Sequence, residues 1–122
     1  MLILNHPKIE APKLYKISSI DDIKSTPSNS IVWFDFDFDI LNFCKSNEIK
    51  SAVNISNIKE AVYANSLDAY FLICKFPLAK DVQTIAQNYL FDSKVIALID
   101  ERLIENAIEA EIDGVFLTNY PF

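Results

Sequence analysis

From residue 31 to the end, the chain alternates short apolar runs with amphipathic stretches. Ile31–Phe36, Ser51–Ile55, Ala69–Cys74, Val95–Ile99 and Val115–Leu117 are mostly unbroken apolar runs rather than strict alternations. That pattern predicts strands covered on both faces, as in a parallel sheet. The segments between them carry a helical period. Ile40–Ser46 puts Ile40, Phe43 and Cys44 on one face. Asn57–Asn65 opens with Asn57 as cap and Glu60 three residues on, a loose capping box. Leu78–Leu90 aligns Leu78, Val82, Ile85, Ala86 and Tyr89 in one stripe. Glu101–Glu111 turns Ile104, Ala107 and Ile108 inward and sets Glu101, Glu105 and Glu109 opposite, as a solvated face. Upstream, Lys13–Ile17 reads as a strand and Ser18–Lys24 as a short helix capped by Ser18 or Ser19. Thr26–Ser30 is a polar turn, and residues 1–12, with two prolines, are an N-terminal arm or an edge strand.

Strand–helix alternation of this kind predicts one α/β domain over residues 1–122, with right-handed crossovers. The expected sheet is parallel, of five to six strands, with helices on both faces. Two architectures fit: an open, doubly wound, Rossmann-like sheet, or half of a (β/α) barrel with open edges. The open sheet is favoured, because 122 residues is about half of an eight-unit barrel.

Composition narrows the function classes. Apolar residues are 51% of the chain, enough for a core without metal or disulfide. The net charge is −6 with only 11 Lys and Arg and no basic run, which argues against nucleic acid and against an anionic membrane surface. No apolar stretch reaches transmembrane length, and Met1–Leu4 is too short for a signal-peptide core, so the expected compartment is the cytoplasm. Cys44 and Cys74 show no metal or redox spacing and read as buried thiols. There is one glycine, Gly114, so neither a dinucleotide fingerprint nor a phosphate loop exists, and the turns must rely on Asn, Asp, Ser and Pro. His6 is the only histidine and sits between Asn5 and Pro7, a poor place to hold a catalytic imidazole.

Sites in parallel α/β folds form at the carboxyl ends of strands. The residues leaving those ends are Asp35 and Asp37, then Ser56, Lys75, Asp100, and Thr118 with Asn119. In a continued strand, Asp35, Asp37 and Asp39 would share one side, a set of oxygen ligands suited to Mg²⁺. The plainer reading ends the strand near Phe36 and lets the later aspartates cap the next helix.

The order of these residues resembles the haloacid-dehalogenase-like hydrolases. Val32–Asp37 matches their apolar strand ending in Asp-x-Asp, Ser56 their second motif, Lys75-Phe76-Pro77 their third, and Asp100 their fourth. The resemblance covers residues 31–117. It implies Asp35 as nucleophile, Asp37 as general acid/base, Ser56 and Lys75 as further catalytic groups, and Mg²⁺ held by Asp35, Asp37 and Asp100. The chain departs from the family at Phe38 and Asp39, where Gly and Thr usually stand, and at Ile99, where a Gly usually precedes the acid. A second resemblance covers about ten residues: Ile112–Pro121 is similar to the closing strand of the glycerophosphodiester phosphodiesterases, which are (β/α) barrels. It brings no catalytic residue with it.

With one glycine, no usable histidine and altered turn residues at the acidic strand end, the expectation is a non-catalytic domain that works by binding. It would self-associate as a homo-oligomer or join a protein partner, with no resident cofactor. The alternative is a Mg²⁺-dependent phosphohydrolase with Asp35 as nucleophile.

Overall fold

In the computed structural model, which describes residues 1–122, the apolar runs form seven strands. These are β1 (Leu2–Leu4), β2 (Leu14–Lys16), β3 (Ile31–Asp35), β4 (Ser51–Asn54), β5 (Phe71–Lys75), β6 (Lys94–Ile99) and β7 (Gly114–Leu117). Four α-helices connect the later strands: α1 (Phe38–Ser46), α2 (Ile58–Ser66), α3 (Leu78–Asn88) and α4 (Ile104–Glu109). Short 3₁₀ turns occupy Ile20–Ser25 and Glu101–Leu103. Every ladder is parallel, in the order β1-β7-β6-β5-β4-β3-β2. No helix is long and apolar enough to cross a membrane.

The α/β class and the parallel sheet agree with the sequence, but the strand count is seven rather than five to six. The difference lies at the edges. β2 lies within the expected strand Lys13–Ile17, and β1 within the residues read as an arm or an edge strand, so counting both edges raises the total to seven. The expected arm therefore contains an edge strand beside β7, and the two edges, β1 and β2, share no ladder, so the sheet is open.

The placement of the helices differs from expectation. From β2 to β7 each connection advances one strand in the same direction, with no reversal of order. Crossovers of one hand then fall on one face. Accordingly, the buried residues of all four helices except Gln83, among them Leu41, Ala61, Val82 and Ala107, join a single cluster with Val32, Val53, Leu72, Val95 and Val115. The opposite face carries a second cluster without any helical residue: Leu4, Ile31, Trp33, Ala52, Phe71, Ile73, Ile96 and Phe116. The sheet covers this face by curling on itself. Trp33 on β3 and Phe116 on β7 lie 5.1 Å apart between ring centroids, whereas four strand spacings on a flat sheet would separate them by about 19 Å. The apolar runs are buried on both faces as predicted, but the inner cover is the sheet rather than a second helical layer.

All four helices end in the same way. Glu48, Asp68, Leu90 and Glu111 follow the helix caps with φ of 54, 61, 53 and 57°. The next residue returns its N–H to the carbonyl three positions inside the helix: Ile49 to Cys44, Ala69 to Ala64, Phe91 to Ala86, Ile112 to Ala107. These are Schellman endings, which usually place glycine at the left-handed position. The turns were expected to rely on Asn, Asp, Ser and Pro. Only Asp68 follows that expectation here; Glu48, Leu90 and Glu111 do not. The apolar residue after each one, Ile49, Ala69, Phe91 or Ile112, packs into or against the outer core and over-determines the turn.

Two of the predicted inward positions are exposed, while Phe43, Leu78, Ile85 and Ile104 are half-buried. Tyr89 is the cap residue after α3, and Ile108 lies near the end of a helix of six residues that a 3₁₀ turn has rotated; they are 74% and 55% exposed.

Candidate functional site

Strand alternation decides which side chains enter the mouth of the curled sheet. On β3, Ile31 and Trp33 belong to the inner cluster, so Asp35 is on the inner side at the carboxyl end. The same parity puts Asn54 above Ala52 on β4, Lys75 above Ile73 on β5, Thr118 above Phe116 after β7, and Lys16 above Leu14 on β2. A cleft of about 530 Å³ opens there, lined among others by Lys16, Trp33, Asn54, Ser56, Lys75 and Thr118. Asp35 and Asp37 line an adjoining cleft of about 380 Å³, and a third of about 530 Å³ lies between the segment that follows β1 and strand β2, against His6, Tyr15 and Phe116. Lys16 and Trp33 line all three clefts. A more polar hollow at the opposite end, around Lys24, Asn29 and Lys50, is lined by none of these groups.

The floor of the mouth is a fixed aromatic. Trp33 Nε1 donates to Asn54 Oδ1 at 2.7 Å, and Asn54 Nδ2 donates to Asp35 Oδ1 at 2.8 Å. This relay spends Asp35 and Asn54 on holding the indole. Phe122 leans over the same ring, 5.9 Å from Trp33 and 5.1 Å from Phe116 between centroids. Lys16 Nζ sits over both, 4.7 Å from the Trp33 ring and 4.9 Å from Phe122, within cation–π range. The approach to Phe122 is tied down upstream: Asn5 Nδ2 donates to the carbonyls of Leu117 and Tyr120, and the Tyr120 hydroxyl donates to Glu101 Oε2 at 2.8 Å. That hydroxyl bond to Glu101 raises the Tyr120 pKa.

The acidic segment takes the plainer arrangement. β3 stops at Asp35; Asp37 Oδ1 caps α1 by accepting the Ile40 N–H at 3.0 Å, and Asp39 lies in the first turn. Asp100 caps the 3₁₀ turn, accepting from the N–H and guanidinium of Arg102, whose backbone and side-chain bonds hold its carboxyl below the usual range. Asp35 and Asp100 leave strands separated by β4 and β5. No group of three or more His, Cys, Asp or Glu side chains lies close enough to hold a metal ion. Ser56 and Lys75 do share the mouth cleft. Asn119 accepts from the Glu101 N–H, which fixes the turn after β7. At the second helix, Asn57 caps α2 through the Glu60 N–H, and Glu60 accepts from Ser56 N–H rather than from the cap itself.

His6 meets Tyr120 edge-on at 5.3 Å beside the third cleft. Cys44 and Cys74 are buried, and burial pushes their thiols up to about 11 and about 12, the opposite of nucleophile activation. Sequence reasoning missed Lys16, Asn54 and Phe122. Lys16 and Asn54 had a signal in their two-residue spacing from Leu14 and Ala52; Phe122 had none, because only the curl brings it over Trp33. Comparisons of this chain with models of known protein families and with curated proteins found no match.

Proposed function

We propose that this protein is a non-catalytic α/β domain that works by binding, through the mouth of its curled sheet. One observation carries the reading: the strand-end carboxylates are used as structural caps and struts, while the unpaired lysines Lys16 and Lys75 line an open cleft over an aromatic floor. The chain's two ion pairs, Lys45–Asp68 and Arg102–Asp100, involve neither lysine. The one-directional strand order favours the likeness to (β/α) barrels over the likeness to haloacid-dehalogenase-like hydrolases, whose Mg²⁺ chemistry needs Asp35, Asp37 and Asp100 to converge. Buried, unpaired cysteines support a reducing, cytoplasmic setting.

The test is hydrolysis of a phosphate monoester, with Mg²⁺ and with chelator, by wild type beside Asp35→Asn. The expected result is no turnover above the variant's background. Metal-dependent turnover that Asp35→Asn abolishes would replace this reading with the phosphohydrolase.

Self-association is favoured by a separate feature. Between α2 and α3 a groove of about 530 Å³ is lined by Ile58, Val62, Ile85, Tyr89 and Phe91, and Leu90 projects beside it at 86% exposure. Groove and projection belong to one patch, so a second copy related by a two-fold axis can seat each projection in the other's groove. Sedimentation should show a dimer that Leu90→Lys converts to monomer; a wild type that stays monomeric at high concentration removes the idea.

A further inference from the structure

We propose that the ligand of the mouth is a flat aromatic anion, a ring carrying a carboxylate or phosphate, with the ring on Trp33 and the anionic group between Lys16 and Lys75. This rests on the reading of the mouth as a binding site and names what it takes.

The aromatic part follows from the floor. The hydrogen-bonded strut from Asp35 through Asn54 locks the indole plane of Trp33. A rigid ring is pre-organised for stacking and loses little entropy when a second ring settles on it. Phe122 already lies against that ring, 5.9 Å away between centroids, while 68% of its own surface stays exposed. An incoming ring exchanges one aromatic contact for another and releases Phe122 to solvent.

The anionic part follows from charge. The chain carries a net −6, yet Lys16 has no carboxylate within ion-pair distance and rests instead on two aromatic faces. Lys75 enters the same cleft from β5. Two ammonium groups on a low-dielectric floor satisfy one anion by charge-assisted hydrogen bonds. Ser56 and Thr118, on the same cleft, supply hydroxyl donors for further oxygens. Asp35 is the opposing group. Its carboxylate on the inner side of β3 repels an anion, so removing its charge strengthens binding. A metal-dependent hydrolase with Asp35 as nucleophile predicts the reverse.

Trp33 is the only tryptophan, so its fluorescence reads the site directly. Phenyl phosphate, benzoate, inorganic phosphate and benzyl alcohol are titrated into the wild-type protein, Lys16→Met, Lys75→Met and Asp35→Asn, with circular dichroism confirming that each is folded. Phenyl phosphate and benzoate are expected to saturate the signal. Inorganic phosphate and benzyl alcohol, which each lack one half of the ligand, should bind about tenfold or more weakly, and each lysine variant should lose about tenfold for the aromatic anions. Asp35→Asn should bind them more tightly. Equal responses to benzyl alcohol and benzoate, or lysine variants that bind as wild type does, overturn the anion assignment and leave mouth binding standing. No saturable response to any compound overturns both. Phenol released from bound phenyl phosphate sustains the anion site and overturns the non-catalytic reading.

Discussion

Replacing Glu48 and Glu111 by glycine should stabilise this protein. Both residues sit at the left-handed position after a helix, at φ of 54 and 57°. A side chain there crowds its own carbonyl, at a cost of about 1–2 kcal/mol for an L-residue. Glycine removes that cost but adds about 0.4–1 kcal/mol of unfolded-chain entropy. The net gain is about 0.5–1 kcal/mol per site. Both side chains are exposed and neither forms an ion pair, so little else is lost. The sites close different helices, α1 and α4, and their effects should add, giving about 1–2 kcal/mol for Glu48→Gly with Glu111→Gly. For a chain of 122 residues, unfolding entropy makes 1 kcal/mol worth about 4 °C, so Tm should rise by about 4–8 °C. Thermal unfolding followed by circular dichroism measures it, and denaturant unfolding should show a higher midpoint at unchanged slope. A Tm that stays level or falls would refute the reasoning, since it would mean that the left-handed turns carry no strain for glycine to relieve.

The opposite substitution at the one native glycine should destabilise. A Cβ at Gly114 would lie 2.8 Å from the Leu2 carbonyl oxygen, 2.8 Å from Ile96 Cδ1 and 3.0 Å from Leu2 Cβ, so β1 must move away from β7; Gly114→Ala should cost about 1–3 kcal/mol, with hydrogen exchange accelerated first at β1. Asn54→Ala removes the acceptor of the nearly buried Trp33 Nε1 and should cost about 1–3 kcal/mol, with a changed Trp33 emission spectrum; an unchanged spectrum would show that Asn54 does not hold the indole. Asp37→Ala deletes the α1 cap and should cost about 1 kcal/mol while leaving phenyl phosphate affinity unaltered; lost affinity would return Asp37 to the site. The buried thiols of Cys44 and Cys74 should resist alkylation at neutral pH until the chain unfolds. Their folded pKa values lie above the ordinary thiol value near 9, so the neutral form favours the fold: that contribution is complete below about pH 9 and falls away as pH rises toward about 12. Replacing both cysteines by alanine should flatten that decline, measured as Tm against pH.

The sequence by itself determined the α/β class, the five central strands to within two residues at each end, and the helices between them. Its apolar runs also established that these strands are buried on both faces. Those are local properties: a run of four or five apolar residues needs cover wherever it lies, and a helical stripe is set by neighbours three and four positions apart. Asp37 as a cap and Asn57 as a cap were legible for the same reason, since a capping side chain bonds a backbone group three residues on. What covers each face was not local. The step-by-step strand order gathers all four helices on one side and leaves the other to close on itself, so Trp33 meets Phe116 across three intervening strands, a contact that no short window of sequence encodes. Of the two edge strands, β2 was legible within Lys13–Ile17, whereas β1 stayed an arm or an edge strand, because three residues carry too little periodicity and its pairing is decided by the strand beside it. The mouth depended on tertiary structure in the same way. Asp35, Ser56 and Lys75 were visible as strand-end residues, but only the curl sets Lys16 over Trp33 and Phe122, and only the register turns Asn54 into the strut beneath them. Asp100, equally visible in sequence, is taken up by Arg102, because a carboxylate at a strand end bonds the nearest free N–H before any more distant partner can reach it.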